Sequence, residues 1–186
     1  MSCQIINYLN NIQNLSYLEL GVYNNFNFNS INAGYKFSVD TNGLARYTGT
    51  TDEYFEQLHP EKKFDIIFID ANHDYEYVLR DYNNSVQHCN KWLLIHDMIP
   101  PTEEYTHTSK CSDSFKLLYY LLTKTNLEVY PMAENYGLTL IKMPAYKIYP
   151  DQIYANLSYW TFVEFMNSSK MYYTNEIIEL LGKENV

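Results

Sequence analysis

The sequence predicts an α/β protein built on a mostly parallel sheet with helices on both faces. Three observations carry this. Phe64-Asp-Ile-Ile-Phe-Ile-Asp70 is a nearly continuous apolar run, as expected of a parallel strand covered on both sides. Trp92-Leu-Leu-Ile-His96-Asp97 is a second such run, and the stretch between them has apolar residues at Tyr75, Val78, Leu79, Tyr82 and Val86, which is helical spacing. Strand, helix, strand of this kind recurs along the chain, and that alternation implies a layered, mainly parallel sheet. Both apolar runs end on polar, chemically capable residues. In open sheets of this class, ligands bind just outside the carboxyl ends of the strands.

Taken in order, residues 1–16 read as a short lead-in with Ile5, Ile6, Leu9 and Ile12 on one helical face. Ser16-Tyr-Leu-Glu19-Leu-Gly21-Val is a first strand ending in a turn, interrupted by one acid, Glu19. Asn24 to Ile31 is no more than a weak helix. Gly34 to Asp40 is a second strand ending on a carboxylate, and Thr41-Asn-Gly43 is a turn signal. Residues 45–49 read as a short third strand. Thr51 to Leu58 carries a helix start, with Thr51 or Asp52 as cap and acids in the first turn, and Pro60 ends it. Asp74 is the expected cap of the helix after Asp70. Pro100-Pro101 breaks regular structure, and residues 99–111 read as a polar loop placed to cover a site. A helix follows from Ser112 or Asp113, with Phe115, Leu118, Leu121 and Leu122 inward. Leu127–Tyr130 and Gly137–Lys142 are two further strands. From Pro144 the chain reads as a linker with helices near Tyr159–Met166 and Asn175–Leu181. The expected organisation is therefore a sheet domain over 1–143 and a helical extension over 144–186 packed on it.

Composition narrows the function classes. A chain of 186 residues, 46% hydrophobic, fits one domain with a substantial core. The net charge is −9 and the thirteen Lys and Arg are scattered, so a nucleic-acid partner, which needs a basic patch, is not favoured. Cys3, Cys89 and Cys111 lack paired spacing and read as free thiols, neither a disulfide framework nor a zinc pattern. No signal-like segment and no apolar run of roughly 18–20 residues is visible, so a cytoplasmic protein without a membrane partner is expected. The twenty tyrosines read as core and surface filling.

Two groups of residues can carry chemistry. Gly21 lets the backbone turn tightly at a strand end, and Asp40, nineteen residues later at the next strand end, is placed to hold the hydroxyls of a ribose. The glycine-rich fingerprint of dinucleotide binders is missing, because Val22, Tyr23, Asn24 and Asn25 follow Gly21. The second group is Asp70, His73, His96 and Asp97, at two neighbouring strand ends. Such carboxylates bind a cofactor, a divalent cation or both, and histidine removes protons near neutral pH. His59, His88 and His107 fall on expected surface and receive no role.

The stretch from Phe64 through Asp70-Ala-Asn-His73-Asp-Tyr-Glu, then Leu79-Arg-Asp81, then Leu94-Ile-His96-Asp97-Met-Ile-Pro-Pro101 resembles class I S-adenosylmethionine-dependent methyltransferases. It is most similar to a small-domain branch often found with sugar and polysaccharide genes. Tyr17-Leu-Glu19-Leu-Gly21-Val fits that family's first cofactor motif and Lys36-Phe-Ser-Val-Asp40 its second; Thr51-Asp52-Glu-Tyr-Phe and the tail Leu157-Ser-Tyr-Trp also look like the family. The resemblance implies a Rossmann-like fold with a seven-stranded sheet ending in a hairpin. It implies S-adenosyl-L-methionine as cofactor, with Glu19, Gly21 and Asp70 near its methionine end and Asp40 on its ribose. In metal-dependent relatives, residues at the positions of Asp70, His96 and Asp97 bind magnesium. His73 or His96 is then the candidate base for O-methylation of a sugar or other small hydroxyl-bearing acceptor, small-molecule or glycan, in a chain that is free to form a homo-oligomer. Two departures stand out. The later glycines of the first motif are absent, and Cys89-Asn90-Lys91 replaces the usual Pro-Gly-Gly. They keep two alternatives open: a methyltransferase-like scaffold without chemistry, and an NAD-dependent oxidoreductase.

Overall fold

The structure is a computed structural model that describes residues 2–150, 154 and 156–184. The elements run α1 (Ser2–Gln13), β1 (Ser16–Leu20), α2 (Phe26–Ser30), β2 (Tyr35–Asp40), β3 (Tyr47–Thr48), α3 (Thr51–Gln57), β4 (Phe64–Ile69), α4 (Tyr75–His88) and β5 (Cys89–Ile95). A 3₁₀ turn (Glu103–His107) leads to α5 (Phe115–Lys124), β6 (Glu128–Met132), β7 (Leu138–Lys142), α6 (Tyr159–Ser168) and α7 (Thr174–Glu184). The strands form one seven-stranded sheet in the order β3-β2-β1-β4-β5-β7-β6. The first five strands are mutually parallel; β7 runs antiparallel to both β5 and β6. Strand order reverses between β1 and β4, which opens a crevice at their carboxyl ends.

The continuous apolar run of β4 is explained by its two neighbours. Ile67 and Ile69 point into the core under α3, α4, α5 and α6, while Ile66 and Phe68 point into the core under α1, α2 and α7. A strand with a helix layer on each side has no polar face to offer. The same alternation holds in β5, with Leu93 and Ile95 on one side and Trp92 and Leu94 on the other. Tyr159 and Phe162 of α6 join the first core; Ile177 and Leu181 of α7 join the second. The linker expected from Pro144 includes residues 151–153 and 155, which lie outside the described residues. No helix among the described residues is long and apolar enough to cross a membrane.

Several local expectations need correction. Ile12 is exposed, and α1 buries Asn10 alongside Ile5, Ile6 and Leu9; the Asn10 amide bonds back to the Ile6 carbonyl at 3.0 Å. In α5 Leu117 and Tyr120 are buried where Leu122 is only half-buried, and Leu79 of α4 is half-buried too. His88 is not on the surface. It is buried, stacked on Phe55, with Nδ1 2.7 Å from the Lys62 carbonyl. The polar loop over residues 99–111 contains a 3₁₀ turn. Asp74 occupies the N-cap of α4 but makes no capping bond. It accepts from Ser112 instead, while Asp113, brought from α5's approach, takes the Tyr75 N–H at 2.6 Å.

The cap of α3 is Thr50, one residue before the two predicted from sequence. Its hydroxyl accepts from Glu53 N–H at 3.2 Å, and the Glu53 carboxylate accepts from Thr50 N–H at 2.8 Å, a reciprocal capping box. Thr50→Ala is expected to lose about 1 kcal/mol, seen as a lower urea midpoint at unchanged slope.

Candidate functional site

The end of β1 is shaped by contact with the end of β4. Gly21 has φ +85°, and a Cβ there would lie 2.2 Å from the Asp70 carbonyl oxygen. The Asp70 N–H donates to the Leu20 carbonyl at 2.8 Å and the Gly21 N–H to the Val39 carbonyl at 2.9 Å, so three strand ends meet at this point. The turn after Gly21 is held from β2. Asp40 Oδ2 accepts from the Val22 and Tyr23 amides at 2.8 and 3.0 Å, and Oδ1 accepts from the Asn42 amide at 3.0 Å. Acceptor capacity remains on Oδ1. Around these residues lies a cavity of about 650 Å³ whose wall includes Gly21, Asp40, Asp52, Asp70 and Asp81.

Glu19 sits elsewhere. It is 1% exposed, is not part of the cavity wall, and accepts from the Tyr17 hydroxyl at 2.5 Å and the Asn27 amide at 3.2 Å. Burial pushes its carboxyl up to about 7, against the pull of those two donors. It ties β1 to α2 beneath the turn.

At the inner end of the cavity, Asp70 joins His73, His96 and Asp97. His96 Nδ1 is 3.2 Å from Asp70 Oδ1 and 3.1 Å from Asp97 Oδ1. His73 Nε2 is 3.3 Å from Asp70 Oδ1 and Nδ1 is 3.8 Å from Asp97 Oδ2. Each side chain is aimed by its own element. His96 N–H extends the β4 ladder to the Ile69 carbonyl at 3.0 Å. Asp97 then adopts φ 58°, which turns the chain back, and the Ser114 hydroxyl holds its carbonyl at 2.8 Å. His73 Nδ1 lies 3.1 Å from the Ser109 carbonyl; that oxygen only accepts, so Nδ1 carries the proton and Nε2 faces Asp70.

Burial alone would lower both imidazoles; the Asp70 and Asp97 carboxylates outweigh it and hold both above the usual histidine range. Burial likewise raises Asp97 in spite of the two histidines, whereas at Asp70 the two imidazoles win and its carboxyl is lowered. Two atoms of the cluster remain unsatisfied. His73, 8% exposed, and Asp97, 7% exposed, bury Nε2 and Oδ1 respectively without a hydrogen bond of acceptable geometry. Buried polar atoms left this way are costly; here His73 Nε2 lies 3.3 Å from Asp70 Oδ1 and Asp97 Oδ1 lies 3.1 Å from His96 Nδ1. One atom each of Asp70, His96 and Asp97 falls within 4.8 Å of the others, a set of mixed oxygen and nitrogen donors that fits a divalent cation. His73 falls outside that donor group and stands beside it.

The sequence-predicted residues are thus brought into two adjoining places. Gly21, Asp40 and Asp70 surround the cavity; Asp70, His73, His96 and Asp97 form the cluster. Three participants had no assigned role in the sequence: Asn135, whose side-chain amide reaches His96 Nε2 at 2.8 Å; Ser109, through its carbonyl; and Asp81, on the cavity wall. Asn135-Tyr136-Gly137 is a turn signal, but nothing local marks which residue its side chain meets.

The sheet order and the crevice at its switch point can be set beside known structures. The O-methyltransferase from Bacillus cereus in complex with SAH superposes with a TM-score of 0.61 over 77% of this chain and 80% of its own, at 14% identity. The chain has a Rossmann-like methyltransferase fold. The O-methyltransferase TomG from Streptomyces achromogenes, in complex with SAM, gives 0.56 over 76% and 79% at 12% identity. A methyltransferase of Podospora anserina bound to SAH gives 0.55 over 76% of both chains at 15% identity. In sequence, residues 26–98 match a family described as methyltransferase domain. That segment runs from the start of α2 to Met98 and so includes Asp40, Asp70, His73, His96 and Asp97. No curated protein matches the chain.

Proposed function

We propose that this protein is an S-adenosylmethionine-dependent O-methyltransferase acting on a small hydroxyl-bearing acceptor, with a sugar hydroxyl as the favoured class. The observation that carries the reading is the double position of Asp70. Its residue lines the cavity beside Gly21 and Asp40, and its carboxylate belongs to the histidine–aspartate cluster. A cofactor in the cavity would therefore present its methyl group next to the groups able to prepare a hydroxyl. Methyl transfer is an in-line displacement, so the protein's main task is to hold the two reactants collinear.

The chain's own residues divide that task. Asp40 has Oδ1 capacity for a ribose hydroxyl while its other oxygen orders the turn after β1. His73 is the base: Nδ1 is committed to the Ser109 carbonyl, so Nε2, 3.3 Å from Asp70 Oδ1, is the nitrogen that takes up and releases the proton. Asp70, His96 and Asp97 would hold a divalent cation, which when bound polarises the acceptor oxygen and lowers its pKa. The methyltransferase-domain match and the SAM- and SAH-bound neighbours favour this cofactor over a nicotinamide. On the cavity wall Arg80 is paired with Asp52 at 3.3 Å and Asp74 adds a further carboxylate, surroundings that suit a neutral polyhydroxylated acceptor better than a phosphorylated one.

A scaffold without chemistry is the second reading, favoured by the use of Asp40 to hold the Val22 and Tyr23 amides. Thermal unfolding separates the two. S-adenosylhomocysteine at 100 times its dissociation constant is expected to add about 2.7 kcal/mol of stability, with no response to NADH. Absence of any response to S-adenosylmethionine or S-adenosylhomocysteine would leave the scaffold reading.

A further inference from the structure

Resting on that reading of the site, we infer that the cation held by Asp70, His96 and Asp97 is a transition-metal dication bound in preference to magnesium, and that Asn135 sets this choice by holding His96 with Nδ1 turned to the ion. Magnesium takes oxygen donors and keeps much of its water, whereas an imidazole nitrogen suits manganese, iron, cobalt or zinc. His96 is the nitrogen in this donor set. Its Nδ1 lies 3.2 and 3.1 Å from the two carboxylate oxygens, close to the spacing of adjacent donors around an ion with bonds of about 2.1 Å. Asp97 Oδ1, buried and without a hydrogen bond, is one of these donors.

The orientation of His96 comes from an unusual turn. Asn135, Tyr136 and Gly137 all have positive φ, at 51°, 61° and 92°. Successive left-handed residues are strained unless their surroundings enforce them, and here they do. Met98 N–H donates to the Gly137 carbonyl at 3.2 Å and Ile99 N–H to the Tyr136 carbonyl at 2.8 Å. Tyr136 stacks on Tyr105 at 5.2 Å, and a Cβ on Gly137 would meet Ile99 at 2.5 Å. The turn between β6 and β7 is thereby clamped to the exit of β5, two residues beyond His96. That turn brings the Asn135 side-chain amide, through Nδ2, to within 2.8 Å of His96 Nε2, which in the ion-free protein makes Nε2 the acceptor and leaves the ring proton on Nδ1, toward the two carboxylates. A ligating histidine characteristically donates its second N–H to such a partner. With Nδ1 on the ion the proton moves to Nε2, and a half-turn of the Asn135 amide exchanges Nδ2 for Oδ1 at the ring so that Oδ1 accepts it.

The test uses the full chain, without a histidine tag and stripped with EDTA, titrated with cobalt, manganese and magnesium chlorides by calorimetry and, for cobalt, by visible absorption. Wild type is expected to bind one cobalt ion at least ~100-fold more tightly than magnesium, with ligand-field bands. Because nitrogen-free sites also rank these ions, the deciding comparison is His96→Asn, which exchanges nitrogen for oxygen. It is expected to shrink the cobalt-to-magnesium ratio and change the bands. Asn135→Leu should weaken cobalt binding about 10–100-fold, while Asn135→Asp, which keeps an acceptor, should retain it. Circular dichroism confirms that each variant is folded. An unchanged ratio in folded His96→Asn, equal affinity for magnesium in wild type, or no cation bound to the folded protein overturns the inference, and unchanged cobalt affinity in folded Asn135→Leu overturns the role given to Asn135. S-adenosylhomocysteine binding measured in EDTA reports separately on the methyltransferase reading, so either can fail alone.

Discussion

Gly21→Ala is expected to destabilise the protein by about 2–5 kcal/mol and to abolish its response to S-adenosylhomocysteine. Two separate effects add. At φ +85° any side chain pays the left-handed penalty, about 1–2 kcal/mol. The new Cβ would also lie 2.2 Å from the Asp70 carbonyl oxygen and 2.6 Å from Ala71 Cα. These are backbone atoms at the end of the central strand β4, and no rotamer change relieves the overlap. Either β1 and β4 separate or Asp70 moves, and Asp70 is the residue shared by cavity and cluster. Gly43→Ala isolates the first effect, because Gly43 has φ +76° with nothing within 4 Å of the added atom; it should lose only about 1–2 kcal/mol. Urea unfolding of both variants measures the difference. Equal losses at the two positions would show that the strand ends are not packed as described.

The parts of this fold that depend on periodicity were legible in the sequence. The runs Phe64–Ile69 and Trp92–Ile95 and the spacing of Tyr75, Val78, Tyr82 and Val86 announce two buried strands and the helix joining them, and the strand ends place Asp70 and Asp97. Long-range pairings were not legible. Asn135 meets His96 across 39 positions, and Asp113 replaces Asp74 as the acceptor at the start of α4 across 38; no local pattern encodes either. His88 read as surface because it ends a helix, yet the Lys62 carbonyl and the Phe55 ring give it a buried place. Glu19 is an intermediate case. An acid inside an apolar strand was visible, but its bonds to Tyr17 on the same face of β1 and to Asn27 of α2 were not. The resemblance supplied the cofactor motif; the packing shows that the motif's acid is bound to its own scaffold.

Asp81→Asn is expected to stabilise the protein above neutral pH, by about 2–4 kcal/mol at pH 8. Asp81 is 2% exposed and stands on α4 at the cavity wall. Burial pushes its carboxyl up to about 7; a hydrogen bond from Thr51 opposes this, and the nearby Asp52 charge adds to it. In the unfolded chain the same group titrates near 3.9, so between about pH 4 and 7 the folded state holds a proton that the unfolded state has lost. Stability associated with Asp81 is therefore complete below about pH 4, falls as pH rises to about 7 and is flat beyond. Asparagine has the shape of the protonated acid and can still accept from Thr51, but it cannot ionise, so the variant escapes this fall. Glu19, also held up at about 7, titrates in the same window in both proteins. The informative quantity is thus the difference between the two stability curves, measured by urea unfolding from pH 4.5 to 8.5. That difference should grow from near zero to its plateau by about pH 7.5. A constant difference, or a variant less stable at pH 8, would mean that Asp81 is ionised in the folded protein and stabilised there by Arg80 and Thr51. The cavity would then carry a fixed negative charge at its wall, not a neutral carboxyl able to donate.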